Sequence, residues 1–304
     1  MSIKTLIVGL GKIGMMYDFN KDNHYSSHSH SVNYHRKFSL CGGVDLSIKK
    51  RNKFHKKFNQ IAYKNITEAY EKLSYDLIII SVSTKNVDHV YSEIIKNKIV
   101  PQAILFEKPV SYSVKKAKNI FNYCLKHKIK IFVNYNRRYD PSSLYIKRKI
   151  NSKFIGNIKK VEIFYKKGIL NSCSHYINFI QFLFPNKKKL KSIKLIKNLN
   201  DDYLADIQMI DKNFMLNFYG LSSGHESIKI QGSNGKFIYF TELNRLYFLD
   251  NKKRKYKIKN NYVNGQQNVL KNIYNTLSKK SSPLSSLDDA IESLQYLEKI
   301  KKQL

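Results

Sequence analysis

Glu107-Lys108-Pro109 and Asn171-x-x-x-His175 are the places in this 304-residue chain where side chains able to move a proton stand in patterned positions. Lys108 follows the apolar run 103–106 and precedes a proline, which fixes the next backbone angle and keeps the lysine out of helix geometry. A lysine just past the carboxyl end of a parallel strand faces a ligand crevice, where neighbouring charges can tune its pKa for proton relay. His175 stands four positions after Asn171, so the two share a face if that segment is helical. An imidazole can act as a general base near neutral pH, whereas an amide can orient a hydroxyl but not take its proton. Each residue taken alone also fits a purely structural role.

A third pattern lies at the N-terminus. The apolar run from residue 4 leads straight into Gly9-Leu-Gly11-Lys12-Ile13-Gly14. Gly9 permits a tight turn, Gly11 lets a pyrophosphate approach the backbone, and Gly14 lets a following helix pack close to the strand. The N–H groups at such a helix start, with the positive end of its dipole, hold an anion. The strand–glycine–helix context predicts a dinucleotide site. Asp45, at the end of the run 40–45, is a suitable carboxylate for an adenosine ribose diol. It arrives later than the usual spacing of about 20 residues. The excess lies in 17–38, a polar stretch with His24, His28, His30 and His35 that is expected to form a loop and the first helix. A carboxylate at 45 would repel a 2′-phosphate and favours NAD. Lys49, Lys50 and Arg51 just beyond could accept that phosphate, which keeps NADP open.

These patterns sit in a chain long enough for two packed domains. No apolar run approaches a membrane span, and the start lacks a signal-peptide pattern, so no membrane role is expected. Three cysteines, odd in number and without a Cys-x-x-Cys pair, fit reduced thiols in a cytoplasm and predict no metal site. The net charge of +33 comes from 55 basic and 22 acidic residues. The lysines are spread through nearly every segment beside Asn, Ile, Tyr and Phe, as a strongly AT-biased genome would produce. No nucleic-acid-binding motif accompanies them, so specific nucleic-acid binding is not expected. A positive field that draws in anionic substrates is.

The elements that must position these residues fall into two sets. In the first part, strand patterns at 4–8, 40–45, 76–82, 103–106 and 129–133 alternate with helical spacing at 66–73, 87–97 and 114–127, which predicts a parallel sheet. After Pro141 come short alternating runs at 159–166, 206–210, 214–219, 226–231, 236–240, 245–249 and 255–258, with a turn at Gly232-Ser-Asn-Gly235. These predict an antiparallel or mixed sheet with one exposed face. Helices at about 172–184, 265–278 and 287–302 are expected to cover the other face, the last opened by a Ser286/Asp289 capping box. The expected boundaries are 1–130 for a dinucleotide-binding domain and 131–304 for a substrate-binding and oligomerisation domain.

Taken together, Gly9 to Gly14, Gly43-Val-Asp45, Ile80-Ser-Val-Ser83-Thr84, Glu107-Lys108-Pro109, Asn134-Tyr-Asn136-Arg137-Arg138, Gly168 to His175 and Gly232-Ser-Asn-Gly235 resemble the Gfo/Idh/MocA oxidoreductase family. The resemblance covers essentially the whole chain, and Tyr17-Asp18 with His28-Ser-His30 is similar to its surface-polysaccharide branch. It implies an α/β architecture: an N-terminal Rossmann parallel sheet and a C-terminal α+β domain with a large open, mostly antiparallel sheet. It also implies hydride transfer between nicotinamide and a sugar, nucleotide-sugar or cyclitol hydroxyl or ketone. An open sheet with an exposed face commonly pairs with its twin, so a homo-oligomer, dimer or tetramer, is expected. Carried onto these positions, Gly9, Gly11, Lys12, Ile13, Gly14, Asp45, Ser83, Thr84, Glu107 and Lys108 would hold the cofactor. Lys108, His175 and Asn171 would be catalytic. Asn136, Arg137, Arg138, Asn171 and His175 would contact substrate.

The chain departs from the family's Asp-x-x-x-His-x-x-Asp pattern, because both carboxylates are amides, Asn171 and Asn178. Neither can take a proton. Two other readings therefore stay open: an NAD-dependent lyase or glycosidase with transient oxidation, and a cofactor-binding protein with impaired catalysis.

Overall fold

The strand β1 (Ile3–Val8) ends in the apolar run Leu6–Val8 without alternation because both faces are covered there; Leu6 and Ile7 have no exposed surface. The computed structural model describes residues 2–21, 25–200, 202–259 and 264–304. The chain divides into two compact units, Met1–Tyr139 with Val263–Ile291, and Asp140–Tyr262 with Glu292–Leu304.

In the first unit β1 is followed by α1 (His28–Tyr34), β2 (Phe38–Val44), α2 (Ile48–Phe58), β3 (Ala62–Tyr63), α3 (Ile66–Lys72), β4 (Leu77–Ile80), α4 (Thr84–Lys96), β5 (Ala103–Phe106), α5 (Val114–Lys126) and β6 (Lys130–Val133). The sheet order is β3-β2-β1-β4-β5-β6, with every pairing parallel. The order reverses between β1 and β4. In a sheet of this kind ligands bind beyond the carboxyl ends of the strands at that switch point.

One local expectation fails: no regular helix follows Gly14. The N–H groups of Met15 and Met16 both reach the Gly11 carbonyl, that of Tyr17 reaches Lys12, and only the short 3-10 turn Met16–Asp18 comes next. The long stretch before β2 places the first helix later, at His28. The stretch is closed by buried Asp18, which accepts the Ser26 and Ser27 N–H groups and pairs with His30 Nδ1 at 3.0 Å. His24 lies outside the described residues.

The second unit opens with α6 (Pro141–Asn151), β7 (Ile158–Tyr165) and α7 (Ser174–Leu183). Then come β8 (Lys189–Leu199), β9 (Asp202–Ile210), β10 (Met215–Gly220), β11 (Ser227–Gly232), β12 (Gly235–Phe240), β13 (Arg245–Asp250) and β14 (Lys255–Ile258). They form an eight-stranded sheet in the order β14-β13-β12-β11-β7-β10-β9-β8. All pairings are antiparallel except β7 with β10. Burial alternates residue by residue on β12, as a sheet covered on one face requires.

Two further helices close the chain, α8 (Gly265–Leu277) and α9 (Leu287–Lys301). α8 belongs to the first unit, where Val269, Leu270 and Ile273 share an apolar cluster with Phe38, Leu40 and Tyr139. The expectation that it covers the second sheet fails, because its helical spacing would suit either sheet and only contacts distant in sequence select the first. Ser286 caps α9: its Oγ accepts the Asp289 N–H while Asp289 accepts the Ser286 N–H, the reciprocal pair expected of a capping box.

Candidate functional site

Beyond the carboxyl ends of β1, β2, β4 and β5 the first unit opens a cavity of about 1120 Å³. Sites for small molecules and cofactors commonly span about 300–1,000 Å³. The glycine turn lines it with Gly9, Gly11, Lys12 and Ile13; the end of β2 adds Asp45, Ser47 and Lys50; Ser83 and Thr84 follow β4; Glu107 and Lys108 follow β5. Residues 99 positions apart in sequence, Gly9 and Lys108, thus share one cavity because their strands end on one side of the sheet.

The turn itself fits a pyrophosphate. A Cβ on Gly11 would meet no protein atom within 4 Å, so the backbone there is open to a ligand. Gly14 stands behind, where a Cβ would fall 1.9 Å from the Gly9 carbonyl oxygen. Its lack of a side chain serves the close packing of the turn on itself. Ser81 Oγ donates to that same Gly9 carbonyl at 2.7 Å and ties β4 to the turn.

Asp45 is held before any ligand arrives. Its carboxylate accepts the Leu10 N–H and the Ser47 N–H, each at 2.9 Å, and pairs with Lys50 Nζ at 3.3 Å. A carboxylate fixed in this way can still accept from ribose hydroxyls with its remaining lone pairs. Lys50 offsets part of its charge.

At the β5 side, Glu107 Oε1 receives His28 Nε2 at 2.7 Å and Asn134 Nδ2 at 2.6 Å. Burial pushes its carboxyl pKa up, but the hydrogen bond and charge of His28, the Asn134 hydrogen bond and the Lys108 charge outweigh burial and hold it below the ordinary value. Glu107 is therefore ionised near neutral pH. An ionised carboxylate only accepts, so His28 Nε2 carries the proton between them. Neither His28 nor Asn134 was among the site residues expected from sequence. The His28-Ser-His30 segment stood out there, but its partner lies 79 positions away.

Residues 3–135 match the family described as GFO_IDH_MocA, an oxidoreductase family with an NAD-binding Rossmann fold. Over this segment, a little under half of the chain, the sequence is similar to the Gfo/Idh/MocA oxidoreductases. Solved structures extend the likeness in fold over the whole chain. An oxidoreductase from Agrobacterium radiobacter, in complex with NAD+, L-tartaric acid and magnesium, has a TM-score of 0.81 at 14% identity, covering 100% of this chain and 96% of that one. UDP-N-acetylglucosamine 3-dehydrogenase GnnA from Acidithiobacillus ferrooxidans has a TM-score of 0.81 at 12% identity, covering 100% and 98%. Protein Ycf2 of Physcomitrium patens is 28% identical over 276 residues, 87% of this chain but 11% of that protein. The chain thus spans about a tenth of that curated relative's length.

Asn136, Arg137 and Arg138 lie on the short turn Asn136–Tyr139 and are not part of the cavity lining. Arg138 is only 3% exposed; its Nη1 donates to the Leu284 carbonyl at 3.1 Å and pairs with Asp289 at 2.9 Å. Its guanidinium anchors the start of α9.

The second unit carries Asn171 and His175. Residues Ile169–Cys173 wind as one π turn before α7 begins, so Asn171 precedes the regular helix. Asp202 caps this turn: one oxygen accepts the Ile169 and Leu170 N–H groups and the other accepts Asn171 N–H, each at 3.0 Å. Buried Glu226 accepts from the Ser172 hydroxyl, from Tyr176 at 3.0 Å and from the Lys166 N–H at 2.9 Å. Asn171 is exposed and His175 half-buried. Asn178 is fully buried and donates to Ser293 Oγ at 2.9 Å, and Ser293 donates onward to Gln181. An ionised aspartate could not make that donation, which gives the amide at 178 a physical reason. Among the described residues no group of three or more His, Cys, Asp or Glu could hold a metal ion, and no helix is long and apolar enough to cross a membrane.

Proposed function

We propose that this oxidoreductase is an NAD(H)-dependent dehydrogenase or reductase of a hydroxylated, sugar-type substrate, with His175 as general base and Lys108 assisting proton transfer. The observation that carries the reading is the gathering of Gly11, Asp45, Glu107 and Lys108 around one cavity. The dinucleotide, when bound, supplies the hydride acceptor or donor. The turn at Gly9–Gly14 binds its pyrophosphate, and Asp45 accepts from its adenosine ribose. Oxidation of a secondary alcohol also requires loss of the hydroxyl proton, which a base within hydrogen-bond reach must take. Lys108 orients that hydroxyl at the cavity's β5 side, and Asn171 orients substrate without exchanging a proton. Asn136 and Arg137 contribute to the substrate pocket.

A nucleotide-linked sugar suits the charge of +33, which draws anions toward the molecule. The activity named for GnnA, carried on the same fold, supports that class. The Asp45–Lys50 pair supports NAD with tolerance of NADP. A homo-oligomer belongs to the same reading and is supported by Leu195 and Ile196, exposed on β8. The three free cysteines support a reducing, cytoplasmic setting.

The test is turnover on a panel of nucleotide sugars and cyclitols. Lys108→Ala and His175→Ala should each lower kcat by about 10²-fold or more, the scale of general acid–base help. Cofactor affinity, measured by calorimetry, should move far less. The double variant should lose less than the product of the single losses, because groups acting as a unit are not additive. Near-normal turnover in both single variants would reject the assignment.

A further inference from the structure

The segment between the glycine turn and β2 is wired in two directions. Toward the turn, the His28 N–H donates to the Ile13 carbonyl at 3.0 Å. Ser29 donates to the Gly14 carbonyl twice, from its N–H at 2.9 Å and from its Oγ at 2.7 Å. Toward β5, the imidazole of the same His28 donates from Nε2 to Glu107, the residue before Lys108. The remaining hydrogen bonds keep the segment in place. Asp18 and His30 close its loop, and Gln267 of α8 donates to the Ser31 carbonyl at 2.8 Å. Asn134, the second donor to Glu107, is itself bonded to Gln266 of α8 at 3.2 Å. His28 is 2% exposed, so its ring competes with little water for this role.

The two histidines of His28-Ser-His30 thus do different work. His30 pairs with Asp18 inside its own loop, whereas His28 spans from the glycine turn to the far strand of the cavity. By strand order Glu107 stands three strands from Asp45, about 14 Å at the usual strand spacing. Asp45 therefore borders the adenosine end of the cavity, and Glu107 with Lys108 the opposite end.

We infer that His28 is a positioning residue of the cofactor cavity: through Glu107 it holds the Lys108 corner at a fixed place relative to the glycine turn, and so shapes the nicotinamide end without touching the adenosine end. The inference rests on the proposed use of this cavity for a nicotinamide dinucleotide. It makes the long polar stretch before β2 a brace between the two rims of the site.

The experiment compares NADH with ADP, which carries the adenosine and pyrophosphate but lacks the nicotinamide and its ribose. Both are titrated calorimetrically into the wild type, His28→Gln and His28→Asn. A glutamine amide can take the place of Nε2 and reach Glu107; the shorter asparagine cannot. In His28→Asn NADH should bind about tenfold more weakly while ADP stays within about twofold, the scale of one lost hydrogen bond to a charged group felt at one end of the cavity. In His28→Gln both ligands should bind within about threefold of wild type, since the donor is restored. Retained ADP binding also shows that each variant is folded. Equal losses of NADH and ADP in His28→Asn, or NADH binding as tight as in wild type, would overturn the inference and leave the proposed function standing. A wild type that binds neither ligand would remove both.

Discussion

Around the cavity of the first unit, Asp45 and Glu107 keep charged oxygens on the lining while backbone N–H groups, Lys50, His28 and Asn134 fix their orientation. At the start of α7 in the second unit the carboxylates are placed otherwise. Asp202 takes three backbone N–H groups of the π turn, and Glu226 takes two hydroxyls and a backbone N–H. The positions at which the family pattern has Asp are the amides Asn171 and Asn178. Asp45 and Glu107 thus stand on a cavity lining, whereas Asp202 and Glu226 hold a helix start in shape. The cavity of the first unit and the start of α7 are built separately, and a substitution can be chosen to probe one without touching the other.

The widest separation of the two is expected from Gly11→Val. Nothing in the protein lies within 4 Å of a Cβ at that position, so the fold should tolerate the side chain while a pyrophosphate does not. An overpacked contact costs about 1–3 kcal/mol, or about 5- to 150-fold in affinity. Calorimetry with NAD(H) should show binding weakened at least that far, with an unchanged melting temperature. Gly14→Ala should do the reverse and lower the melting temperature, since its Cβ would collide with the Gly9 carbonyl. Unchanged NAD(H) affinity in Gly11→Val would place the cofactor elsewhere.

A smaller effect separates the two amides of the second unit. Asn178→Asp removes the donor to Ser293 and buries a carboxyl in a fully enclosed site, so stability should fall by about 1–3 kcal/mol or more. Burial raises the folded-state pKa of such a group, so the folded protein holds its proton more tightly than the unfolded chain. The pH-dependent part of the deficit is then absent in acid and grows as pH rises above about 3.9, the ordinary aspartate value. Asn171 is exposed, and Asn171→Asp should leave stability nearly unchanged and maintain or raise turnover. Urea unfolding at several pH values checks both. A stable Asn178→Asp variant with no pH trend would show that the amide is not required by its surroundings.

The parts of the fold readable in sequence are those whose signal is local. β1, β4 and β5 are short apolar runs buried on both faces, and the glycine triplet marks the end of one of them. The strands of the second sheet declare themselves by alternation and by the turn at Gly232–Gly235. α2 is hidden because its eleven residues Ile-Lys-Lys-Arg-Asn-Lys-Phe-His-Lys-Lys-Phe bury only Phe54 and Phe58. β8 is equally hidden, since most of its residues are exposed and lysine-rich. At the site, Gly11, Asp45 and Lys108 are legible because each follows a strand. The donors that orient Glu107, His28 and Asn134, come from elements paired only in three dimensions. The same holds for Asp202, which lies at the start of β9 and acts on a turn 31 to 33 residues earlier.

Helix ends offer the finest test, because there the two units do not differ. α5 in the first unit ends with Lys128 at φ +56° and α6 in the second with Lys153 at φ +55°. Both ends carry the paired hydrogen bonds of a Schellman motif: Lys128 N–H to Leu125 and Ile129 N–H to Cys124, Lys153 N–H to Ile150 and Phe154 N–H to Lys149. The left-handed conformation costs a residue with a Cβ about 1–2 kcal/mol, whereas glycine adopts it freely. Part of that gain is offset, because glycine is more disordered when unfolded and a lysine near a helix C-terminus interacts well with the dipole. Removing one positive charge from a chain at +33 works in the other direction by easing self-repulsion. Lys128→Gly and Lys153→Gly should therefore each stabilise by a few tenths to about 1 kcal/mol, equally in both units and without change in NAD(H) affinity. Lys128→Asn and Lys153→Asn, which remove the charge but keep a Cβ, should gain less than glycine does. A gain from asparagine equal to that from glycine would assign the effect to charge rather than to backbone strain.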